Sequence, residues 1–453
     1  MRYFDISRLT RRAVTPGPSG IDRVDLAYLQ WLRSLGKVHY LLNGVAGFSE
    51  IDSGLGDAFG DDLAVAWGSR GSRMPEVRVR KLQERSYKVR AASKWLGRRI
   101  GLDRLTTVDD LRTLCSADNQ EKLDLLDASA GAFSYRVDPA WQNTRQKGTY
   151  FGISHSMLGR TAFLSALSRH PQLKRVFFIH DTIPCDFPEY CRPVESHKHL
   201  LRLRNAFRYG THLIVNSHYT AGRLEYWRKE LRSKQLPVAI VPIGVDQGLV
   251  NHAGQTIPRS TSPKPTFIIL GTIEPRKNHR ILLKVWKSFT ATLPAEAIPR
   301  LIVVGKRGWE NDAIFQMLED PALKPHVEEM NAVSDECLWP LIRSARAMLF
   351  PSFVEGWGMP MIEALSLGVP IIASDIPAFD EAGKGIVEQL PTDDAEAWSR
   401  LILDYASAES PSRSKQLMSL ENYHPPTWED HFSTILNWLG PQSLGVESQP
   451  PSP

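Results

Sequence analysis

The chain has 453 residues, of which 42% are hydrophobic and 23% charged, and its formal net charge is +5. This balance excludes a fibrous or largely disordered chain, and the length predicts two or three globular domains. The charge is uneven, because residues 1–250 hold 38 basic against 25 acidic residues and residues 251–453 hold 17 against 25, which predicts an anionic partner for the first half.

Hydropathy, the N-terminus and the cysteines predict a cytoplasmic protein. No apolar run reaches the roughly 20 residues of a membrane-spanning helix, and MRYFDISRLT lacks the apolar segment of a secretion signal. The cysteines are too dispersed for a disulfide framework or a four-ligand zinc site; they are Cys115, Cys185, Cys191 and Cys337. Reduced thiols are favoured, and a labile bond between Cys185 and Cys191 is the alternative.

Short apolar segments rich in β-branched or aromatic residues recur along the chain and predict buried strands of parallel sheets. In order they are Val38–Gly44, Val176–Asp181, His212–Ser217, Val238–Gly244, Thr266–Gly271, Leu301–Gly305, Ala347–Ser352 and Val369–Asp375. Segments with helical spacing lie between them, such as Ile281–Phe289 and Glu336–Met348, in which Pro340 is expected to kink the helix or lie in its first turn. The alternation predicts an α/β fold with right-handed crossovers.

The polar, Pro- and Ser-rich segment His252–Pro265 predicts an interdomain linker. The first domain then covers residues 1–250, with a basic insertion at about 50–145, and the second covers residues 265–425. Residues 426–440 are amphipathic and predict a terminal helix, and residues 441–453 predict a disordered tail.

Within the insertion, residues 70–104 hold 12 basic and 3 acidic side chains. Lys88–Ile100 can form a helix that docks on an anionic membrane, and a solvated helix on an inserted lobe is an equal alternative. Nucleic-acid binding is disfavoured, because only Tyr87 and Trp95 add aromatic rings to this basic stretch.

The first candidate site is FPSFVEGWGMPMIEALSLGVPIIASD (Phe350–Asp375). A strand ends near Ser352, a glycine-containing loop follows, and Pro360 suits the first turn of a helix. Free N–H groups at a helix start attract phosphate or sugar oxygens, whereas Glu355 and Glu363 should face neutral hydroxyls. The alternative is one capping and one exposed glutamate.

Glu355–Gly–Trp–Gly–Met–Pro–Met–Ile–Glu363 resembles the E-x7-E signature of family-4 retaining glycosyltransferases, which use nucleotide sugars. That family has the GT-B fold, two Rossmann-like domains with parallel sheets facing across a cleft. The resemblance implies that Glu363 binds the nucleotide ribose. It also implies that the donor sugar contacts Glu355 and the loop amides of Gly356, Trp357, Gly358 and Met359.

The second candidate site is ILGTIEPRKNHRILL (Ile269–Leu283), where a strand ends at Gly271 and two cations precede a helix. Arg276 and Lys277 suit a diphosphate leaving group, and a solvated basic pair is the alternative. The segment resembles the family's diphosphate-binding loop, except that Thr272 stands where many members have arginine. GTxEPRKN resembles a subset that includes mannosyltransferases of polysaccharide assembly, which implies GDP-mannose as the donor.

Two further residues match family positions in the first domain. His180, at the end of the strand FFIHD, matches a histidine near the donor sugar, which implies hydrogen bonding and not general base catalysis. Gly20, in PGPSGIDRV (Pro16–Val24), matches an N-terminal glycine loop that faces the donor phosphates and the acceptor.

The resemblance implies a retaining transferase that moves a sugar from a nucleoside diphosphate to a lipid-linked or polysaccharide-precursor acceptor. We expect a peripheral enzyme on the cytoplasmic face of the membrane that binds anionic lipid through residues 70–104. No predicted strand ends in an Asp-x-Asp pair and no His/Cys cluster occurs, so metal-independent chemistry is expected. The alternatives are a nucleotide-sugar epimerase on the same fold and a non-catalytic sugar- or lipid-binding protein.

Overall fold

The computed structural model describes residues 1–13, 18–43, 47–68, 136–137, 141, 147–246, 248–249, 264–309, 311–331 and 333–445. Several predicted features lie outside these residues: the basic segment 70–104, linker residues 252–263, the first residues of the segment Pro16–Val24, and residues 446–453 of the tail. The tail was predicted to be disordered from residue 441, but Pro441–Leu444 form a 3-10 turn in which Leu444 is buried. The chain divides into two compact units, Met1–Pro242 with the chain from Glu429 onward, and Ile243–Trp428.

The first unit is built on a mostly parallel sheet, whose described part has eight strands. The strands are Arg2–Asp5 (β1), Val38–Asn43 (β2), Gly47–Ile51 (β3), Arg136–Val137 (β4), Gly148–Gly152 (β5), Leu173–Ile179 (β6), His212–Val215 (β7) and Val238–Ile240 (β8). Their order is β4-β3-β2-β1-β5-β6-β7-β8, and all neighbours pair in parallel except the antiparallel pair β2–β3. The central strands are buried on both faces, as expected when helices cover a parallel sheet.

The described helices of this unit are Ser7–Arg12, Gly20–Ser34, Ser53–Gly68, His155–Leu158, Thr161–Ser168, Ile183–Asp186, Glu195–Tyr209, His218–Glu230 and Trp428–Leu439, with 3-10 turns at Pro188–Tyr190 and Pro441–Leu444. The last helix comes from the chain end and packs into this unit, where Phe432 stacks on Trp31 with ring centroids 4.6 Å apart. His431 on the same helix is 2.9 Å from the Tyr28 hydroxyl.

The second unit has a fully parallel sheet, with six strands in its described residues. The strands are Thr266–Leu270 (β9), Arg300–Val304 (β10), Val327–Met330 (β11), Ala347–Phe350 (β12), Ile371–Ser374 (β13) and Glu388–Leu390 (β14), in the order β11-β10-β9-β12-β13-β14. The described helices are His279–Thr292, Asp312–Leu318, Asp335–Ser344, Met359–Ser366, Pro377–Gly383, Ala395–Ala406 and Pro411–Leu420, with a 3-10 turn at Pro275–Lys277.

The predicted α/β class, with two Rossmann-like domains, is confirmed. Every predicted strand is present, and Pro340 lies inside the helix Asp335–Ser344, beyond its first turn. None of the described helices combines the length and the apolar character needed to cross a bilayer.

In each sheet, the first strands in chain order are added toward one edge and the later strands toward the other edge. The direction of strand addition therefore reverses between two central neighbours. In the first unit this switch lies between β1 and β5, and in the second it lies between β9 and β12. Open parallel sheets bind ligands beyond the carboxyl ends of the strands at such a point, so the loops after these strands are the expected places for sites.

Candidate active site

The loop after β9 carries the two predicted cations to the switch point of the second unit. Gly271 has a φ of +145, and a Cβ there would meet Lys277 Cε at 3.1 Å, so glycine leaves room for this lysine. Arg276 and Lys277 lie in the 3-10 turn that precedes the helix His279–Thr292. Asn278, with a φ of 50, ends this turn and donates to the Thr392 carbonyl at 2.8 Å, which anchors the loop.

The loop after β12 brings Glu355 between those cations. Its two carboxylate oxygens each lie 2.6 Å from a cation, one from Lys277 Nζ and the other from Arg276 Nη1. Ser352 donates to the same carboxylate at 2.9 Å, and the Phe353 amide donates to the Arg276 carbonyl at 2.9 Å. We call Glu355, Arg276 and Lys277 the Glu355 cluster. Glu355 follows Lys277 by 78 residues and meets the two cations because the strands before them, β9 and β12, are neighbours in the sheet.

Electrostatics keep Glu355 ionised although its residue is only 7% exposed. Burial by itself raises the pKa of this carboxyl, but Arg276 and Lys277 outweigh that effect and lower the pKa to about 2. Glu355 is therefore a charged hydrogen-bond acceptor at neutral pH and cannot serve as a general acid.

The ion pairs within the Glu355 cluster were not predicted from the sequence. The contacts that were predicted, of the cations with a diphosphate and of the glutamate with sugar hydroxyls, stay predictions. Arg276 contacts a second carboxylate as well, that of Glu274 at 2.9 Å. Glu274 and Ser352 were not predicted as site residues, although both lie in segments that were singled out, because a sequence does not tell which neighbours turn toward a cation.

The glycine loop between the two glutamates has the predicted geometry. Gly358 has a φ of +87 and is the N-cap of the helix Met359–Ser366, with Pro360 in the first turn. A Cβ at Gly358 would meet Phe379 at 3.0 Å, so both the backbone conformation and the space favour glycine. Gly356 is half-buried, and the indole N–H of Trp357, a residue only 6% exposed, has no partner among the described residues.

Glu363 and Met359 lie on that helix, where the sequence predicts the ribose contact. Glu363 is half-buried, and both side chains line a small pocket together with Ile243, Gly244, Val245 and Ile362. The structure therefore gathers Gly271, the Glu355 cluster and the glycine loop at the ends of β9 and β12, with Glu363 on the helix that the loop opens.

His180 lies at the end of β6 in the first unit and is 5% exposed. Its Nε2 is 2.9 Å from the Ile153 carbonyl, and since a carbonyl only accepts, Nε2 carries the proton and Nδ1 carries the lone pair. Burial lowers the pKa of His180 to about 3, so the ring is neutral and a poor general base. Contact with a donor sugar stays a prediction.

Gly20 is exposed and begins the helix Gly20–Ser34. Ser19 and Asp22 form a capping box at this helix start, and Arg8 and Arg12 lie 2.7 and 2.9 Å from the Asp22 carboxylate. The helix end beside Gly20 is thus already occupied by a carboxylate that two arginines neutralise. The predicted contact of Gly20 with donor phosphates stays a prediction.

Residues 255–416 match the family Glycosyl transferases group 1. O-antigen chain mannosyltransferase B of Escherichia coli is 33% identical over 174 residues, which are 38% of this chain and 44% of that protein. The serotype-specific mannosyltransferase WbdA of Escherichia coli is 29% identical over 282 residues, 58% of this chain and 31% of that protein. The chain thus spans less than half the length of these relatives.

Among solved structures, sucrose-phosphate synthase from Thermosynechococcus elongatus superposes with a TM-score of 0.54 at 14% identity. The alignment covers 97% of each chain. At this identity the likeness concerns the fold alone.

Proposed function

We infer that this chain, which carries a Glycosyl transferases group 1 domain at residues 255–416, is a retaining glycosyltransferase. Its proposed donor is GDP-mannose, because the relatives described above are named as mannosyltransferases and because GTxEPRKN resembles that subset. Its proposed acceptor is a lipid-linked or polysaccharide-precursor sugar. The observation that carries the proposal is the Glu355 cluster, a carboxylate and two cations at the switch point of a parallel sheet.

The cluster supplies both charges that such a reaction needs. As the bond between the sugar and the diphosphate breaks, negative charge grows on the departing oxygen, and Arg276 and Lys277 can stabilise it. An ionised Glu355 can accept hydrogen bonds from two sugar hydroxyls, which orients the sugar. The N–H groups that begin the helix at Met359 add a positive dipole near the same loop.

Donor binding has to replace the ion pairs within the cluster by contacts between the cations and the diphosphate. Both cations are already paired with Glu355, and Arg276 is paired with Glu274 as well, so an incoming diphosphate competes with carboxylates for them. Diphosphate on the cations releases Glu355 to accept hydroxyls from the attached sugar. A nucleoside diphosphate that lacks the sugar brings no hydroxyls for Glu355 to accept. The protein should therefore bind the intact donor more tightly than the nucleoside diphosphate product.

The test is transfer by the purified full chain. GDP-mannose, UDP-glucose and UDP-N-acetylglucosamine are each incubated with a prenyl-diphosphate-linked oligosaccharide, with a metal chelator present because metal-independent chemistry is proposed. We expect GDP release and an acceptor one hexose heavier with GDP-mannose alone. An epimerase would convert the donor without acceptor. Absence of transfer from every donor, with and without chelator, would overturn the proposal.

A further inference from the structure

Two buried polar side chains in the second unit have no hydrogen-bond partner among the described residues. His279, the first residue of the helix His279–Thr292, is 3% exposed, and both of its ring nitrogens lack such a partner. Ser374, the last residue of β13, is fully buried, and its hydroxyl lacks one too. Buried polar groups are nearly always bonded to protein or to ordered water, so both side chains point to a partner that the described residues do not supply.

Both side chains lie in the same interface between a helix and the sheet. His279 precedes Leu282 and Trp286 by one and two helical turns, and these two residues pack in the hydrophobic core on one face of the sheet. Ser374 lies two positions after Ile372, which belongs to the same core, and side chains two positions apart in a strand share a face. The helix and the strand therefore direct His279 and Ser374 into one layer.

The two residues also lie at the same end of that layer. Asn278, which directly precedes His279, donates to the Thr392 carbonyl at 2.8 Å. Thr392 lies two residues after Leu390, and Leu390 pairs with Ser374 in the parallel register of β13 and β14. The start of the helix is thus anchored beside the carboxyl end of β13, where the Ser374 hydroxyl is buried.

The chemistry of the two groups fits water. Burial, and after it the positive charge of Lys277, lowers the pKa of His279 to about 3, so the ring is neutral and has one N–H donor and one acceptor nitrogen. The serine hydroxyl also both donates and accepts. Buried water typically makes about three hydrogen bonds to such groups, whereas a buried ion needs a charge that a neutral imidazole and a hydroxyl do not provide.

We propose that ordered water bridges His279 and Ser374 at this end of the interface, and so ties the turn that carries Arg276 and Lys277 to β13. His279 begins the helix two residues after Lys277, so a bridge from its ring to the strand holds the turn from the side of the core. The inference goes beyond the proposed function, because it does not depend on any donor or acceptor.

A crystal structure of the full chain tests the site itself. We expect water density within about 3.2 Å of a His279 ring nitrogen, and within the same distance of Ser374 Oγ either directly or through one further water. A direct bond between the two side chains would overturn the proposal. Apolar packing around both polar groups without water would overturn it as well.

A serine pair tests the bridge in solution. Ser374→Ala removes one end of the bridge, and Ser366→Ala is the matched control, because Ser366 Oγ donates to the Ile362 carbonyl of its own helix at 2.7 Å. Imidazole nitrogen NMR should show altered His279 signals in Ser374→Ala and wild-type signals in the control. Unchanged His279 signals in folded Ser374→Ala would contradict the bridge. If Ser374→Ala does not fold, Ser374→Cys, which keeps the shape with a weaker donor and acceptor, takes its place.

Amide hydrogen exchange tests whether the bridge holds the turn. The amides of Lys277 and Asn278 close the turn through bonds of 3.0 and 3.1 Å to carbonyls within it. We expect these two amides to exchange about 10-fold faster in Ser374→Ala than in wild type or Ser366→Ala. Equal exchange in all three proteins would show that the turn is not tied to β13 in this way, whether or not the protein transfers a sugar.

Discussion

Glu355 is a buried carboxylate, and its charge needs contacts that replace the water it loses on folding. Two cations at 2.6 Å and one hydroxyl at 2.9 Å provide it. The same contacts hold the pKa at about 2, so the charge persists throughout the range in which proteins usually work. This carboxylate can accept hydrogen bonds from hydroxyls but has no proton to give.

Glu355→Gln tests the exchange between carboxylate and diphosphate. The amide keeps the shape of the side chain but loses its charge, so kcat/KM for the donor should fall about 100-fold. Binding of GDP alone should become equal or tighter, because Arg276 and Lys277 no longer hold an internal anion. Steady-state kinetics and calorimetry measure the two effects.

The matched control for Glu355→Gln is Glu396→Gln, which removes an exposed carboxylate paired with Arg400 at 2.5 Å. It should leave both quantities unchanged. Weaker GDP binding in Glu355→Gln than in wild type would show that the carboxylate does not compete with diphosphate.

The buried histidines predict an acid-sensitive first unit. His180 and His199 have pKa values of about 3, below the ordinary value of about 6.5. Between these values the unfolded chain binds more protons than the folded chain, so stability is complete above about pH 6.5 and falls as the pH decreases. Each such histidine adds about 1.4 kcal/mol per pH unit to this slope.

Denaturant unfolding at pH 7, 6 and 5 measures that slope, with fluorescence or exchange probes assigned to the first unit. His199→Gln should reduce the pH dependence by the contribution of one histidine. Equal stability of the first unit at pH 7 and pH 5 would mean that these rings are not neutral and buried as described.

Whether a strand could be predicted from the sequence depends on the length and the polarity of its segment. The second half of β6, VFFI, and all of β9, TFIIL, are apolar enough to be predicted. In contrast, β1, RYFD, and β11, VEEM, carry charges within four residues and were missed. The E-x7-E loop was predictable because Gly358 and Pro360 mark a helix start. The direct ion pair between Lys277 and Glu355 was not, since it depends on which strands are neighbours in the sheet and on how the side chains turn.

The glycine loop offers a matched pair of substitutions. Gly358 and Gly368 both have positive φ angles, +87 and +73, and flank the same helix. Alanine at either position should cost about 1–2 kcal/mol of backbone strain. Only at Gly358 does the new Cβ meet a side chain, Phe379 at 3.0 Å, whereas nothing lies within 4 Å at Gly368.

We therefore expect Gly358→Ala to lower kcat/KM well beyond its effect on stability, and Gly368→Ala to lower stability alone. Thermal unfolding and donor kinetics on both variants measure this difference. Equal kcat/KM values for the two variants would show that the glycine loop at Gly358 does not contribute to the proposed site.

The whole molecule is asymmetric in charge, because its basic residues are concentrated in residues 1–250, and this asymmetry bears on membrane association. The proposal of peripheral membrane binding comes from residues 70–104, with 12 basic and 3 acidic side chains. Each basic residue close to an anionic surface contributes about 1 kcal/mol, an effect that salt screens.

The full chain should therefore sediment with phosphatidylserine-containing vesicles at low salt and be released at high salt. Replacing Lys81, Arg85, Lys88 and Arg90 by glutamine should weaken retention, while vesicles of neutral phosphatidylcholine give the baseline. Equal retention on neutral and anionic vesicles would rule out electrostatic docking through this segment.

If the Glu355 cluster binds the diphosphate of a nucleotide sugar, removal of one of its cations must weaken nucleotide binding. Calorimetric titration of GDP into wild type and Lys277→Met measures this effect, with Lys287→Met, which removes an exposed lysine paired with Asp320, as control. We expect one GDP site in wild type and in the control, and affinity about 10- to 100-fold weaker in folded Lys277→Met. Equal affinity in all three proteins, or no binding in wild type, would contradict diphosphate binding by the cluster.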